Sequence, residues 1–259
     1  MREDKFGKKS LGQHWLTDSN SLEAMCNAAE VITGDTVLEI GPGRGSLTSS
    51  LLERGAKIVA VELDERLGQE LTDRFKHKPF ILNMLSILDF DFSSLPADYK
   101  IVANIPYYLT SHLLRLLGEI PNQPSLAVLL VQKEVAQRVV AGPGAMSLLS
   151  VAVQFHYKVS LGEIVPAKLF NPPPKVDSQI LILERRKKPV FDVDMDKFFQ
   201  VVKAGFSERR KKLRSSLSGG LHISKPEAEK LLQSAGIDPN SRAQELSLDD
   251  WYKLYNEVY

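Results

Sequence analysis

The sequence has a single cysteine, Cys26, so no intrachain disulfide can form and a reducing compartment, the cytoplasm, is expected. Long apolar runs are missing. The longest, Leu126 to Val131, falls far short of the roughly 18 residues that a membrane span needs. It predicts a buried strand, and no membrane partner is expected. The polar start, Met1 to Lys9, has no apolar core of a signal peptide. Paired metal ligands are lacking too. The five histidines (His14, His77, His112, His156, His222) show no metal spacing, and Cys26 lies on an apolar helix stripe, so ligand count argues against zinc. No Gly-Lys-Ser/Thr occurs, which argues against a nucleoside-triphosphate P-loop. With a net charge of +1, neither sign dominates, and a generally polyanion-binding surface is not expected.

What is present is an ordinary globular composition, 43% apolar and 25% charged over 259 residues. That length suits one α/β domain with a small appendage, and nothing in it demands more than a monomer. Charge is clustered even though it cancels overall. Lys203, Arg209, Arg210, Lys211, Lys212 and Arg214 are interrupted by one acid, Glu208. Smaller basic groups are Arg185 to Lys188 and Lys5, Lys8 and Lys9. Such clusters are usually solvated helix faces. Here four consecutive cations in an expected helix, Ser207 to Leu217, cannot all share one face, and RNA phosphate contact by Arg209, Arg210, Lys211, Lys212 and Arg214 is the favoured reading.

Apolar periodicity orders the elements. Leu22, Met25, Cys26 and Ala29 mark a helix for which Asn20 and Glu23 are a candidate capping box. Strands are predicted at Thr36–Ile40, Lys57–Val61, Phe80–Asn83, Lys100–Ala103, Leu126–Gln132 and Gln179–Leu183, and helices at Ser46–Arg54, Glu65–Phe75 and Ser111–Leu117. This alternation predicts a parallel sheet covered by helices. Beyond residue 187 only helices are predicted, at Asp196–Phe206, Ser207–Leu217, Pro226–Ala235 and Leu248–Val258. The expected division is therefore residues 1–187, an α/β catalytic domain, and 188–259, a small helical domain that holds the basic run expected to contact RNA.

The first strand runs into Gly41-Pro42-Gly43-Arg44-Gly45. Glycines there let the chain turn sharply and approach a ligand closely. Glu62 ends the next strand, 21 residues after Gly41, where an acid can bind both hydroxyls of an adenosine ribose. The third glycine comes one residue too early for a dinucleotide fingerprint. Strand, turn, helix, strand and acid in this order point to S-adenosyl-L-methionine, against the plainer reading of a tight packing turn.

A later strand ends in Asn104-Ile105-Pro106-Tyr107, which would face the same crevice. An adenine amine is a poor nucleophile because the ring withdraws its lone pair. The side-chain oxygen of Asn104 and a backbone carbonyl, such as that of Ile105, can accept its hydrogens and direct the lone pair toward a methyl donor. Pro106 fixes the backbone, and Tyr107 offers a flat face for the base. These residues specify amine methylation on a planar base and leave DNA or RNA open.

The chain resembles the small-subunit ribosomal RNA adenine N6,N6-dimethyltransferases over nearly its whole length. The likeness lies in Lys9 to Leu16, Glu39 to Gly43, Asn104 to Tyr107, Phe170 to Ser178 and Phe206 to Leu213. It implies an α/β, Rossmann-like S-adenosylmethionine-dependent methyltransferase sheet with a small C-terminal all-helical domain. It further implies two methyl groups on each of two adjacent adenosines, in a hairpin near the 3′ end of the 16S RNA, within an immature 30S particle. By the same resemblance His14, Leu16, Gly41, Gly43, Glu62 and Asn104 line the cofactor site. Phe170 is a second aromatic wall opposite Tyr107, where the plainer reading has it pin the proline-rich loop. Ser86 stands where the family commonly has an aspartate facing the cofactor adenine, and His14 where many members have asparagine. The alternatives are a large-subunit (23S) RNA adenine methyltransferase of the macrolide-resistance type and a non-catalytic assembly factor.

Overall fold

The computed structural model describes residues 13–259. Lys5, Lys8 and Lys9, and the start of the Lys9–Leu16 motif, lie outside the described residues. The elements begin with β1 (Trp15–Leu16), α1 (Ser19–Ala28), β2 (Thr36–Ile40), α2 (Ser46–Glu53), β3 (Lys57–Glu62), α3 (Glu65–Phe75), β4 (Phe80–Met84), β5 (Lys100–Asn104) and α4 (Thr110–Glu119). They continue with β6 (Leu126–Gln132), α5 (Lys133–Val140), α6 (Leu148–His156), β7 (Tyr157–Val165), β8 (Phe170–Asn171) and β9 (Ser178–Arg185). Four further helices follow: α7 (Met195–Phe206), α8 (Leu213–Leu221), α9 (Lys225–Ser234) and α10 (Leu248–Val258).

Seven strands form one sheet in the order β4-β3-β2-β5-β6-β9-β7. The first five are parallel, as expected, whereas β9 runs antiparallel to both of its neighbours, β6 and β7, so the sheet is mixed. The sequence reading missed β7, in which the alternation of Tyr157, Val159 and Leu161 with polar residues breaks off at Gly162 and Glu163, where the pairing with β9 shifts register. The short β1 pairs with β8 through Trp15↔Asn171 and Leu16↔Phe170. In β2, β5 and β6 the central residues are buried, and all of them but Glu39 are apolar, as strands covered on both faces must be.

Helix starts follow side-chain chemistry. Asp18, not Asn20, caps α1: its carboxylate accepts the Ser21 backbone N–H at 2.9 Å and the Ser21 hydroxyl at 2.7 Å. Asp18, two residues earlier, satisfies the free N–H of Ser21 directly, which leaves Asn20 inside the helix. Ser224 and Ser247 each form a reciprocal capping box, with Glu227 and Asp250.

The helix expected over Ser207–Leu217 starts only at Leu213, and Arg209 to Lys212 lie in the preceding turn. Like charges three and four residues apart repel along a helix, and this run offers no apolar side chain to bury until Leu213.

The chain divides into two compact units: residues up to Gln137 with Tyr157–Arg185, and Arg138–His156 with Arg186–Tyr259. The second break lies close to the sequence boundary at 187, but α6 joins the helical unit ahead of it. Phe155 of α6 is fully buried with its ring 5.1 Å from Phe198 of α7, and both belong to a core with Val201, Leu217 and Trp251. The first unit has its own core, built on Val37, Val102, Val128 and Leu130 of the sheet with Met25 and Cys26 of α1. Cys26 is a core residue, as its position on the apolar stripe implied, and burial pushes its thiol up to about 12.

Candidate active site

Strands β2 and β5 are neighbours although two strands intervene in sequence, so the direction of winding reverses between them. Helices leave such a pair toward opposite faces and open a crevice beyond its carboxyl ends. A cavity of about 300 Å³ occurs there, lined by the ends of β2, β3 and β5, the turn after β4, and the β1 and β8 pair. That volume is at the lower end for a small-molecule site.

The glycine turn forms one wall. Gly41, Gly43 and Gly45 all have positive φ (68°, 56° and 78°), which a side chain would resist. A methyl group on Gly43 would lie 3.3 Å from the Trp15 ring, and one on Gly45 only 2.6 Å from Phe75. The turn is thereby held close against both sides. Trp15 also carries the Arg44 guanidinium over its ring at 4.2 Å. Neither Trp15 nor Arg44 was given a site role in the sequence reading, because a contact between β1 and a turn after β2 leaves no local pattern.

Two buried carboxylates close this end. Glu62, 6% exposed, accepts the N–H of Gly43 on Oε2 at 3.2 Å, and those of Leu63 and Asp64 on Oε1 at 2.8 Å each. Burial raises its pKa against the pull of these three donors. Oε2 keeps one accepting direction toward the cavity, the arrangement a ribose hydroxyl requires. Glu39, 1% exposed, accepts the Thr48 hydroxyl at 2.7 Å, and burial pushes it up to about 8. Asp64 caps α3 and pairs with Arg66 at 2.6 Å, which with the Gln13 amide at 3.0 Å holds it well below the usual carboxylate range. The Gln13–Asp64 bond ties the start of the described chain to the end of β3.

The opposite wall contains the Asn-Ile-Pro-Tyr motif. The Asn104 side-chain N–H donates to the His14 backbone carbonyl at 3.2 Å. This orients the amide, with Oδ1 as its accepting end. The Tyr107 hydroxyl is hydrogen-bonded to Ser178 at 2.7 Å, and burial raises its pKa, so the phenol stays neutral. The His14 and Tyr107 rings lie 5.8 Å apart, and His14 Nδ1 donates to the Pro172 carbonyl at 2.7 Å. Thus His14 joins β1, the proline-rich loop and the motif.

Leu16, Phe170 and Ser86 also line the cavity. Leu16 and Phe170 are only 4% exposed and belong to the core of the same unit. Tyr107, half-buried, is the more accessible ring of the two expected walls. The Ser86 hydroxyl oxygen accepts the Leu88 N–H at 3.2 Å, capping a short turn, and retains one further lone pair. Asp89, the nearby acid, is not among the lining residues.

The basic residues gather in the helical unit. Arg210, Lys211, Lys212 and Arg214 line a second cavity of about 590 Å³, together with Lys225 and Arg242, which the sequence reading did not single out. Arg209 is exposed outside that lining. Lys212 donates to Asn240 at 2.7 Å, Arg214 pairs with Glu229 at 3.4 Å, and Lys211 pairs with Glu208. The described residues contain no group of three or more potential metal ligands and no helix long and apolar enough to cross a membrane.

A sheet wound in this order, with its crevice at the β2 and β5 reversal, is the Rossmann-like framework of S-adenosylmethionine-dependent methyltransferases. Within that class the chain belongs to the ribosomal RNA adenine dimethylase family, whose sequence model matches residues 5–259. It is similar to the ribosomal RNA small subunit methyltransferase A of Dehalococcoides mccartyi strain CBDB1, with 43% identity covering 95% of this chain and 87% of the relative. The protein of the same name from Thermosynechococcus vestitus is 43% identical, covering 95% of each chain. Its structure resembles a dimethyladenosine transferase from Plasmodium falciparum, with a TM-score of 0.79, 27% identity, and 93% and 96% of the two chains covered. It also resembles the 23S rRNA methyltransferase ErmE, with a TM-score of 0.75, 26% identity, and 94% and 99% covered.

Proposed function

We propose that this protein transfers methyl groups from S-adenosylmethionine to N6 of two adjacent adenosines, in a hairpin near the 3′ end of small-subunit ribosomal RNA within an immature 30S particle. The observation that carries the chemistry is the orientation of Asn104: its N–H is committed to the His14 carbonyl, so Oδ1 is the end that can accept a hydrogen of an adenine amine. The ribosomal target rests on family membership and on the small-subunit relatives at 43% identity.

S-adenosylmethionine, when bound, supplies a methyl group on a sulfonium that leaves as a neutral thioether. On the protein side, Gly41 and Gly43 admit the methionine part close to the backbone, Glu62 Oε2 accepts from the ribose, and Leu16 and Ser86 complete the pocket. Ser86 offers one neutral lone pair where an aspartate would offer a charged carboxylate, so the cofactor adenine is held less firmly there. Tyr107 and Phe170 bracket a target base turned out of its stack. Asn104 Oδ1 and the Ile105 carbonyl accept the two amine hydrogens, which points the nitrogen lone pair at the methyl carbon. The amine proton becomes acidic only after the nitrogen has formed its new bond, so no strong base is required beforehand. Proximity and alignment supply most of the acceleration. The cations of the helical unit contact RNA phosphates and position the particle.

Structural similarity to ErmE favours, as the second reading, an adenine N6-methyltransferase of large-subunit RNA. Parallel incubation with 30S particles lacking the modification and with unmodified large-subunit RNA, followed by nucleotide-resolved mass measurement, separates the two. We expect dimethylation of two neighbouring adenosines; transfer only to large-subunit RNA would replace this reading with the second.

A further inference from the structure

Tyr108 follows the reacting motif directly and takes no part in the chemistry above. It lines the same cavity as Tyr107, in the short 3₁₀ turn Tyr107–Leu109, yet it is 56% exposed. A tyrosine ring left this open forgoes most of the apolar burial it could gain. Among the described residues the other tyrosine exposed to this degree, Tyr259, packs against Tyr255 at 5.7 Å and under Lys197 at 5.0 Å. Tyr108 has no ring or hydrogen-bond partner among the described residues. The neighbouring tyrosines are therefore built differently: Tyr107 is fixed by Ser178 and half-buried, while Tyr108 is unanchored at the cavity mouth.

Their spacing prevents them from serving one base together. In a turn of three residues per revolution, consecutive side chains diverge by about 120°. A base resting on Tyr107 thus leaves the Tyr108 ring pointing elsewhere along the rim. We infer that Tyr108 is a stacking platform for the unpaired nucleobase next to the adenine held at Asn104 and Tyr107. Turning one base out of a strand strips its neighbour of a stacking partner, and an exposed ring beside the cavity replaces that partner. The ligand class is a single-stranded dinucleotide whose second base can be of any identity, because every base has a π-face. Resting on the function proposed above, this also means that one of the two adjacent adenosines occupies the platform while the other is being methylated.

The test compares adenylyl-3′,5′-adenosine with adenosine 5′-monophosphate, each titrated into the full-length protein saturated with S-adenosylhomocysteine. The unmodified protein should bind the dinucleotide more tightly. Tyr108→Ala should weaken dinucleotide binding by roughly 5- to 150-fold, the worth of one base–aromatic stack, while changing mononucleotide binding little. Tyr108→Phe should restore the preference, since the ring and not the hydroxyl is the contact. Equal loss for both ligands, no loss for either, or no dinucleotide preference in the unmodified protein overturns the inference. Dinucleotide selectivity that depends on Tyr108 in a protein unable to methylate 30S particles would leave the platform standing and remove the ribosomal reading alone.

Discussion

Asn104 and Glu39 are polar residues at the carboxyl ends of neighbouring buried strands, and each does a different task. Asn104 has its amide fixed from one side by the His14 carbonyl. Asn104→Ala should reduce methyl transfer by about 10² to 10³, the usual cost of removing one fixed polar contact to a transition state. Binding of 30S particles should persist, and single-turnover transfer beside an affinity measurement checks both. Glu39 is poised by burial. Its pKa moves from 4.5 to about 8, so the folded protein binds a proton that the unfolded chain has released between those values. Stability from this group is complete below about pH 4.5 and is lost as pH rises through 8. Glu62 is shifted in the same direction. Glu39→Gln keeps an acceptor for the Thr48 hydroxyl and cannot ionise. Its melting temperature relative to the unmodified protein should therefore increase from pH 5 to pH 9; a constant difference would refute the assignment.

Among the elements, the turn between β2 and α2 decides the most. Gly45 combines a φ of 78° with a position 2.6 Å, at an added Cβ, from the Phe75 ring of α3. Gly45→Ala should cost about 2–4 kcal/mol, from left-handed strain and overpacking together, read as a lower denaturant midpoint at constant slope. Glycine at this place was legible in the sequence, but the reason for it was not. Gly45 and Phe75 are 30 residues apart, and only the packing of α3 beside α2 brings them together. The parallel strands were equally legible, because burial on both faces demands continuous apolar runs such as Leu126 to Val131. Strand β7 was not, since an irregularity at Gly162 and Glu163 interrupts its alternation, and neither was the turn at Arg209 to Lys212, where charge repulsion overrides a continuous helical reading.

At the scale of the whole molecule, the two units divide the work between a crevice with buried acids and a helical body with clustered cations. In the helical unit, Arg210, Lys211, Lys212, Arg214, Lys225 and Arg242 converge on one cavity from three separate stretches of chain. Replacing Arg210 and Lys225 together by alanine should weaken 30S binding and lower the salt slope of the affinity by about 2, one for each lost phosphate contact. Cofactor affinity is the control for folding, and an unchanged slope would exclude these two residues from phosphate contact. The sequence by itself determined the parallel strands, the glycine turn followed by Glu62, and the place of Asn104 to Tyr107 at a strand end, because each is local or set by backbone periodicity. Tertiary structure alone decided that His14 fixes Asn104, that Trp15 and Gln13 brace the cofactor side, and that α6 belongs to the helical unit. These contacts join residues far apart in the chain, and their energy depends on burial that no local pattern records.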